Sequence, residues 1–217
     1  MKTAGKKRGR NPNPWADHYT RRARREHYAA RSVFKLQEIQ KKYGLMRPGQ
    51  RVLDLGCAPG SWLQYAARVV GPGGEVVGLD LRPVTRSLPP QARSLTGDIN
   101  ALDDAMQAAL GGGFHVVLSD MAPATTGNRI VDAARSYQLC EMALDTARRV
   151  LRPGGAFVCK IFQGGDFDAF RAQVQRCFDS CRIFKPRSSR KASREIYLIG
   201  LGKRQEETCP DTASGQP

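Results

Sequence analysis

The fold of this chain is decided by nine residues, Asp54–Trp62, which read DLGCAPGSW. They follow the apolar run 51–55, RVLDL, and precede a segment of helical periodicity. This order predicts a strand, a tight glycine turn and a helix. Gly56 and Gly60 can adopt backbone angles that are closed to other residues, so a ligand can approach the main chain there. The helix start adds unpaired N–H groups and a positive dipole end, which are typical of a site for a nucleoside-type cofactor.

Further acidic residues narrow the choice of cofactor. Asp80 lies 20 positions after Gly60, at the end of the next apolar run, where a carboxylate can accept hydrogen bonds from ribose hydroxyls. Asp98 follows the third predicted strand and is expected near the adenine. The turn lacks the GxGxxG spacing of nicotinamide and flavin binders, which argues against a dehydrogenase. Together with Asp54, these carboxylates favour S-adenosylmethionine, whose methionine tail needs the room that a dinucleotide fills with pyrophosphate. Trp62 either backs this cofactor or packs on its own helix face.

Apolar runs alternate with helical segments along the chain, which predicts an α/β open sheet, mostly parallel, with helices on both faces. Ligands bind such sheets beyond the carboxyl ends of the strands. Buried charge is unfavourable without a role or a partner, so charged residues at these ends are candidate site residues. They are Asp54, Asp80, Asp98, Asp120 and Lys160. The predicted strands are 51–55, 75–79, 93–96, 114–118, 156–159, 181–185 and 194–201.

The length of 217 residues fits one α/β domain, which we predict over 14–202, with a basic arm at 1–13 and a polar tail at 203–217. Residues 14–47 form the basic helical start of that domain. No apolar run is long enough to cross a membrane, and no apolar segment follows the basic N-terminus, so no secretory signal is expected. The six cysteines form no CxxC pair, which favours reduced thiols in a cytoplasmic protein. None of the three histidines has zinc-site spacing, so no metal is expected.

The net charge of +15 is unevenly distributed. Residues 1–50 hold 14 Lys and Arg against 3 Asp and Glu, residues 51–181 hold 13 of each, and residues 182–217 hold 8 against 4. Basic flanks around a neutral core favour a polyanionic partner, either nucleic acid or an anionic membrane. A tail that only aids solubility is the alternative. Tyr19 and Tyr28 lie among arginines, and they either stack on bases or pack on the domain.

Several stretches together resemble a known family. They are RSVFKLQEI at 31–39, DLGCAPGSW at 54–62, SDMAP at 119–123, FVCKIFQG at 157–164 and KPRSSRKASREIY at 185–197. On these motifs the chain resembles the FtsJ/RrmJ-type ribosomal RNA methyltransferases, over about residues 14–202. The resemblance implies a Rossmann-like, S-adenosylmethionine-dependent methyltransferase fold with a seven-stranded sheet. It also implies methylation of a ribose 2′-hydroxyl, that of a uridine in large-subunit ribosomal RNA, by a cytoplasmic monomer. DNA, which lacks this hydroxyl, and membranes are not expected as partners.

The same resemblance implies the site residues. The family's catalytic set falls on Lys35, Asp120, Lys160 and Glu195, and its cofactor residues fall on Gly60, Trp62, Asp80, Asp98 and Asp120. A ribose hydroxyl is a poor nucleophile, so a base must take its proton, and the resemblance assigns this role to Lys160. Lys35 and Glu195 are expected to orient the ribose and that base. One departure is Ala124, where the family often has asparagine after SDMAP.

Three alternatives stay open on the sequence. The same chemistry could act on tRNA or another RNA. A non-catalytic RNA-binding assembly factor could keep the fold, although the intact four-residue catalytic set argues against this. Tyr197, two residues after Glu195 on a predicted strand, either contacts the target nucleotide or packs in the interior.

Overall fold

The computed structural model describes residues 14–190 and 192–205, and for residues 14–17 the backbone alone. The predicted arm at 1–13 lies outside this range, as does the predicted tail from residue 206 onward. The helices are α1 (Pro14–Arg25), α2 (Val33–Tyr43), α3 (Ser61–Val70), α4 (Asp104–Leu110), α5 (Arg129–Val150) and α6 (Phe167–Cys177), with a 3-10 turn at Ile99–Ala101. The strands are β1 (Arg51–Leu55), β2 (Glu75–Asp80), β3 (Ala92–Thr96), β4 (Phe114–Ser119), β5 (Leu151–Phe162), β6 (Phe178–Phe184) and β7 (Glu195–Lys203).

The strands form one seven-stranded sheet in the order β3-β2-β1-β4-β5-β7-β6. The first five are parallel, whereas β7 runs antiparallel to both β5 and β6. The predicted fold class, a mostly parallel sheet of seven strands, is therefore confirmed. The antiparallel register sets Lys160 on β5 opposite Tyr197 on β7, and Phe162 opposite Glu195. Two separate segments of sequence are thereby brought to the carboxyl end of β5.

The core consists of two apolar layers, one on each face of the sheet. Side chains alternate along a strand, so Leu53 and Leu55 of β1 face one layer while Val52 faces the other. Helices α5 and α6 cover the first layer, and α2 and α3 cover the second. Helices on both faces were predicted from the alternation of strands and helices, and this is confirmed. Within the described residues no helix has both the length and the apolar character needed to span a bilayer.

The predicted basic helical start of the domain consists of two helices, because His27 between α1 and α2 adopts a positive φ of 60° that a helix cannot continue. Ser32 precedes α2 but makes no side-chain capping hydrogen bond. The start of β5 was predicted at 156 but lies at Leu151, and a register shift against β4 accommodates the Arg-Pro-Gly-Gly segment 152–155 inside the strand.

Candidate active site

The glycine turn after β1 has the geometry that its sequence predicts. Gly56 and Gly60 have φ values of 76° and 101°, in the region that favours glycine. A Cβ atom on Gly56 would lie 2.6 Å from Cγ of Met121, so no larger residue fits without displacing the loop after β4. The Gly56 N–H donates to the carbonyl of Leu79 at 2.8 Å, which ties the turn to β2. Helix α3 begins directly after Gly60.

A cleft of about 510 Å³ opens at the carboxyl ends of β1, β2 and β4. Asp80 is fixed in its wall, because its Oδ2 accepts the N–H of Ala58 and its Oδ1 accepts the N–H of Arg82, both at 2.9 Å. Asp98 is fixed by the N–H and the side-chain amide of Asn100, each at 2.9 Å from its Oδ1. The structure thus brings Asp80 and Asp98 into one cleft, together with Asp120. The larger apolar side chains of the lining belong to Leu55, Leu79, Leu81, Ile99, Met121, Pro123 and Leu139.

Gly60 and Trp62 are not among the residues that line this cleft. The Trp62 side chain is 3% exposed, and its Nε1–H donates to the carbonyl of Ser32 at 2.9 Å. Its ring stacks on Tyr197 with centroids 6.0 Å apart. Of the two alternatives for this side chain, packing is the one observed. The indole joins α3 to the segment that precedes α2.

The predicted catalytic residues form two ion pairs. Lys160 Nζ lies 2.9 Å from Oδ1 of Asp120, and Lys35 Nζ lies 2.7 Å from Oε1 of Glu195. All four side chains are largely removed from solvent, with exposed fractions between 6% and 16%. Lys160 also donates to the main-chain oxygen of Asp120. The structure therefore brings together four residues that are up to 160 positions apart in sequence.

The two ion pairs are also electrostatic neighbours. Burial by itself would raise the pKa of Asp120, but the charges of Lys160 and Lys35 and a hydrogen bond from Tyr197 hold that pKa below its ordinary value. Asp120 is therefore ionised at neutral pH. Since it also lines the cleft, it is the residue shared by the predicted cofactor site and the predicted catalytic set.

The side chain of Tyr197 is fully buried, which excludes the predicted alternative of contact with a target nucleotide. Its hydroxyl donates to Oδ1 of Asp120 at 2.7 Å, the same oxygen that Lys160 contacts. Burial and the charge of Asp120 raise the pKa of Tyr197 well above its ordinary value, so the phenol stays a donor. The sequence contained one hint of this role, the two-residue spacing to Glu195. Pairing with Lys160 across the sheet could not be deduced from it.

Asp54 lies beneath the glycine turn and is fully buried. Neither carboxyl oxygen has a hydrogen-bond partner within 3.5 Å among the described residues, and the N–H of Leu63 is a backbone donor that acts on the carboxylate and lowers its pKa. Burial first, and then the charges of Asp120 and Asp80, raise its pKa well above the ordinary value. Asp54 lies near the end of β1, as predicted, but it is not among the residues that line the cleft. Within the described residues no cluster of three or more His, Cys, Asp and Glu side chains could hold a metal ion.

The sheet order, the glycine turn and the acidic cleft at the strand ends define a Rossmann-like methyltransferase. Comparison with known proteins supports this class of protein. The model of the FtsJ-like methyltransferase family matches residues 28–203. A solved structure of a protein named as a ribosomal RNA methyltransferase from Plasmodium falciparum superposes with a TM-score of 0.71 at 26% identity, covering 81% of this chain and 98% of that one.

Bacterial relatives are more similar in sequence. Ribosomal RNA large subunit methyltransferase E of Desulforapulum autotrophicum is 55% identical over 204 residues, which cover 94% of this chain and 100% of that protein. The protein of the same name from Bdellovibrio bacteriovorus is 48% identical over 190 residues, or 87% of this chain and 97% of the relative. The chain belongs to the FtsJ-like methyltransferase family, and the resemblance inferred from the sequence motifs is confirmed.

Proposed function

We propose that this enzyme transfers a methyl group from S-adenosylmethionine to a ribose 2′-hydroxyl of RNA, at a uridine of large-subunit ribosomal RNA. One observation carries the proposal. Asp120 belongs both to the acidic cleft and, through Lys160, to a set of two buried ion pairs at the cleft's border. The names of the relatives from Desulforapulum and Bdellovibrio support the choice of large-subunit RNA as substrate.

The cleft residues fit S-adenosylmethionine. The cleft volume of about 510 Å³ lies in the range of small-molecule sites, and the apolar wall of the cleft suits an adenine. Asp80 would accept hydrogen bonds from the ribose hydroxyls, and Asp98 would lie near the adenine. Of the lining residues Arg82 is the one cation, against three carboxylates, which favours a positively charged ligand. Gly60 and Trp62 do not line the cleft, so their contribution would be indirect: Gly60 closes the turn by donating its N–H to the carbonyl of Cys57 at 2.7 Å, and Trp62 packs the start of α3 against Ser32.

When bound, S-adenosylmethionine supplies a methyl group on a positively charged sulfur, open to attack by an oxygen atom. Lys160 takes the proton of the ribose hydroxyl during this attack. In the ion pair with Asp120 the Lys160 side chain is an ammonium group, so the base role requires it to release one proton to solvent before the ribose hydroxyl is attacked. Asp120 then stabilises the ammonium group that forms when Lys160 accepts the ribose proton. Lys35 and Glu195 hold each other in place and orient the ribose.

RNA would lie across the carboxyl edge of the sheet, against the basic N-terminal helices and the segment 185–194. Arg187 and Arg190 in that segment are exposed and could contact phosphates, which would make binding depend steeply on salt. The aromatic rings of Tyr19 and Tyr28 are packed beside Phe34, so the packing alternative is the one observed for them. That the protein works as a cytoplasmic monomer stays a prediction.

The proposal is tested by transfer of labelled methyl groups to undermethylated large ribosomal subunits, free ribosomal RNA and tRNA, followed by nucleoside analysis. We expect label on the ribose of a uridine in large-subunit RNA. Label on a base would contradict the mechanism, label on tRNA alone would change the substrate, and no label on any RNA would favour an assembly factor.

The base assignment has its own test. Lys160→Ala should abolish methyl transfer while S-adenosylmethionine still binds, because the lysine lies at the border of the cleft and is not among its lining residues. Calorimetric titration of the cofactor checks that the variant is folded and loaded. Turnover near the wild-type rate would remove Lys160 from the base role.

A further inference from the structure

A single carboxylate on α2 accepts two backbone N–H groups of the segment 185–194, which we call the basic loop. Oε2 of Glu38 accepts the N–H of Arg187 at 2.7 Å, and Oε1 accepts the N–H of Ser188 at 2.8 Å. Both carboxylate oxygens are therefore used, each in a short charge-assisted hydrogen bond to backbone. Consecutive N–H groups that converge on one anion are a recognised anion-binding arrangement, and here a side chain of the protein itself fills it.

The same helix also contacts the far end of the basic loop. Lys35 lies three residues before Glu38, hence on the same face of α2, and pairs with Glu195 directly after the loop. The hydroxyl of Ser189 donates to Oε1 of Glu195 at 2.7 Å, the oxygen that Lys35 also contacts. Helix α2 thus holds the loop near its start through Glu38 and at its end through the catalytic set.

We propose that Glu38 is a positioning residue for methyl transfer, which fixes the basic loop so that bound RNA is in register with Lys35 and Glu195. This inference rests on the proposed function. Lys185, Arg187, Arg190 and Arg194 carry like charges that repel one another. The ends of the loop are held by other contacts, since Lys185 donates to the carbonyl of Ser193 and Arg194 donates to the carbonyls of Gln163 and Arg129, so Glu38 anchors the stretch between them. The buried Ser188 and Ser189 are 3% and 4% exposed, which shows that this part of the loop is packed against the domain.

The direction in which the RNA affinity of a Glu38 variant changes distinguishes a positioning role from simple charge repulsion. Glu38 is a negative charge on a face that is proposed to bind a polyanion. If only charge mattered, Glu38→Gln would tighten RNA binding, because an RNA-repelling group is lost. Positioning predicts the opposite. The glutamine amide can accept only one of the two N–H groups, so the loop loses one anchor and RNA binding weakens.

The experiment measures steady-state methylation of undermethylated large ribosomal subunits by Glu38→Gln. We expect the KM for the subunits to rise about tenfold or more, since a hydrogen bond to a charged group has roughly that weight. The KM for S-adenosylmethionine should stay within about twofold, because Glu38 is not among the residues that line the cleft. The matched control is Glu141→Gln on α5, a half-buried glutamate that contacts Gln173 on the other face of the sheet. It should leave both KM values unchanged.

A second measurement does not depend on the reaction. Amide hydrogen exchange at Arg187 and Ser188 should be slow in the wild type and about tenfold faster or more in Glu38→Gln. Unchanged exchange at these amides, or a KM for the subunits that is unchanged or lower, overturns the inference. Failure of the proposed function is distinguishable, because it would appear as a wild-type enzyme that methylates no ribose while the exchange difference at the two amides persists.

Discussion

Replacing Tyr197 with phenylalanine removes one hydroxyl group from the interior of the catalytic set and keeps the ring. The ring packs against Trp62 at a centroid distance of 6.0 Å, and phenylalanine retains this contact. What is lost is the hydrogen bond of 2.7 Å to Oδ1 of Asp120. The variant therefore isolates one interaction of the carboxylate that links the cofactor cleft to Lys160.

The size of the effect follows from the type of bond. A hydrogen bond to a charged group contributes about 1.5–3 kcal/mol. At about 1.4 kcal/mol per factor of ten, its full loss in the transition state would lower kcat roughly 10- to 150-fold. Asp120 keeps Lys160 as a partner, so the fold should persist. We expect a kcat loss of about tenfold or more, with the KM for RNA unchanged.

The pH dependence gives a second readout of the same variant. The Tyr197 hydrogen bond is one of the causes that lower the pKa of Asp120, so its removal raises that pKa. When the solution is acidified, Asp120 of the variant should become protonated at a higher pH than Asp120 of the wild type. The activity that depends on the charge of Asp120 should be lost at that higher pH. The stability that the ionised Asp120 confers is present above its unfolded pKa and disappears as the pH falls through its folded pKa. In the variant this loss should also begin at a higher pH.

The assay is single-turnover methylation of undermethylated large ribosomal subunits across a pH series. Tyr137→Phe is the matched control, because its hydroxyl is hydrogen-bonded to Gln173 on the other face of the sheet. That control should keep the wild-type rate and profile. If Tyr197→Phe methylates within about twofold of wild type and shows an unshifted acid limb, then Tyr197 does not tune Asp120 and the reasoning fails.

Two further predictions concern the other carboxylates. Asp80→Ala should weaken S-adenosylmethionine binding by about 10- to 100-fold while leaving RNA affinity unchanged, and calorimetry showing unchanged cofactor affinity would remove the ribose assignment. Asp54→Asn should stabilise the free protein at neutral pH, because the folded pKa of Asp54 is raised and folding then disfavours its charged form. This gain should grow as pH rises above the unfolded pKa and vanish below it; melting curves that show no gain at any pH would refute the buried-charge argument.

Much of the fold was predictable because it depends on local pattern. Strands β1, β2 and β4 are runs of apolar residues with a carboxylate at the end. The glycine turn after β1 indicates where the strand ends and the helix begins. The conformation of the segment between α1 and α2 was not predictable in this way. It depends on the backbone of His27 and on the contact from Trp62 to Ser32, and such tertiary contacts leave no periodic signal.

The site residues likewise fall into those that local sequence predicts and those that depend on tertiary contacts. Asp80, Asp98 and Asp120 lie at strand ends, where the general geometry of α/β sheets predicts a ligand. Lys35 and Glu195 were assigned by resemblance alone, since nothing in their local sequence distinguishes them from surface charges. Tyr197 escaped assignment because its role depends on an antiparallel register between β5 and β7, which the chain fixes only on folding.

The arrangement of contacts suggests why the catalytic residues come from such distant segments. Asp120 follows a central strand and is held by β5 and β7, whereas Lys35 belongs to a helix whose next turn carries Glu38 and the basic loop. The proposed cofactor cleft and the proposed RNA-binding face are therefore built from different elements, which pack together in the apolar layer of α2 and α3 and approach each other at the two ion pairs. Because the fully buried Leu36 and Ile39 fix α2 in the same apolar layer as α3, the fold itself holds Lys35 in register with the rest of the catalytic set.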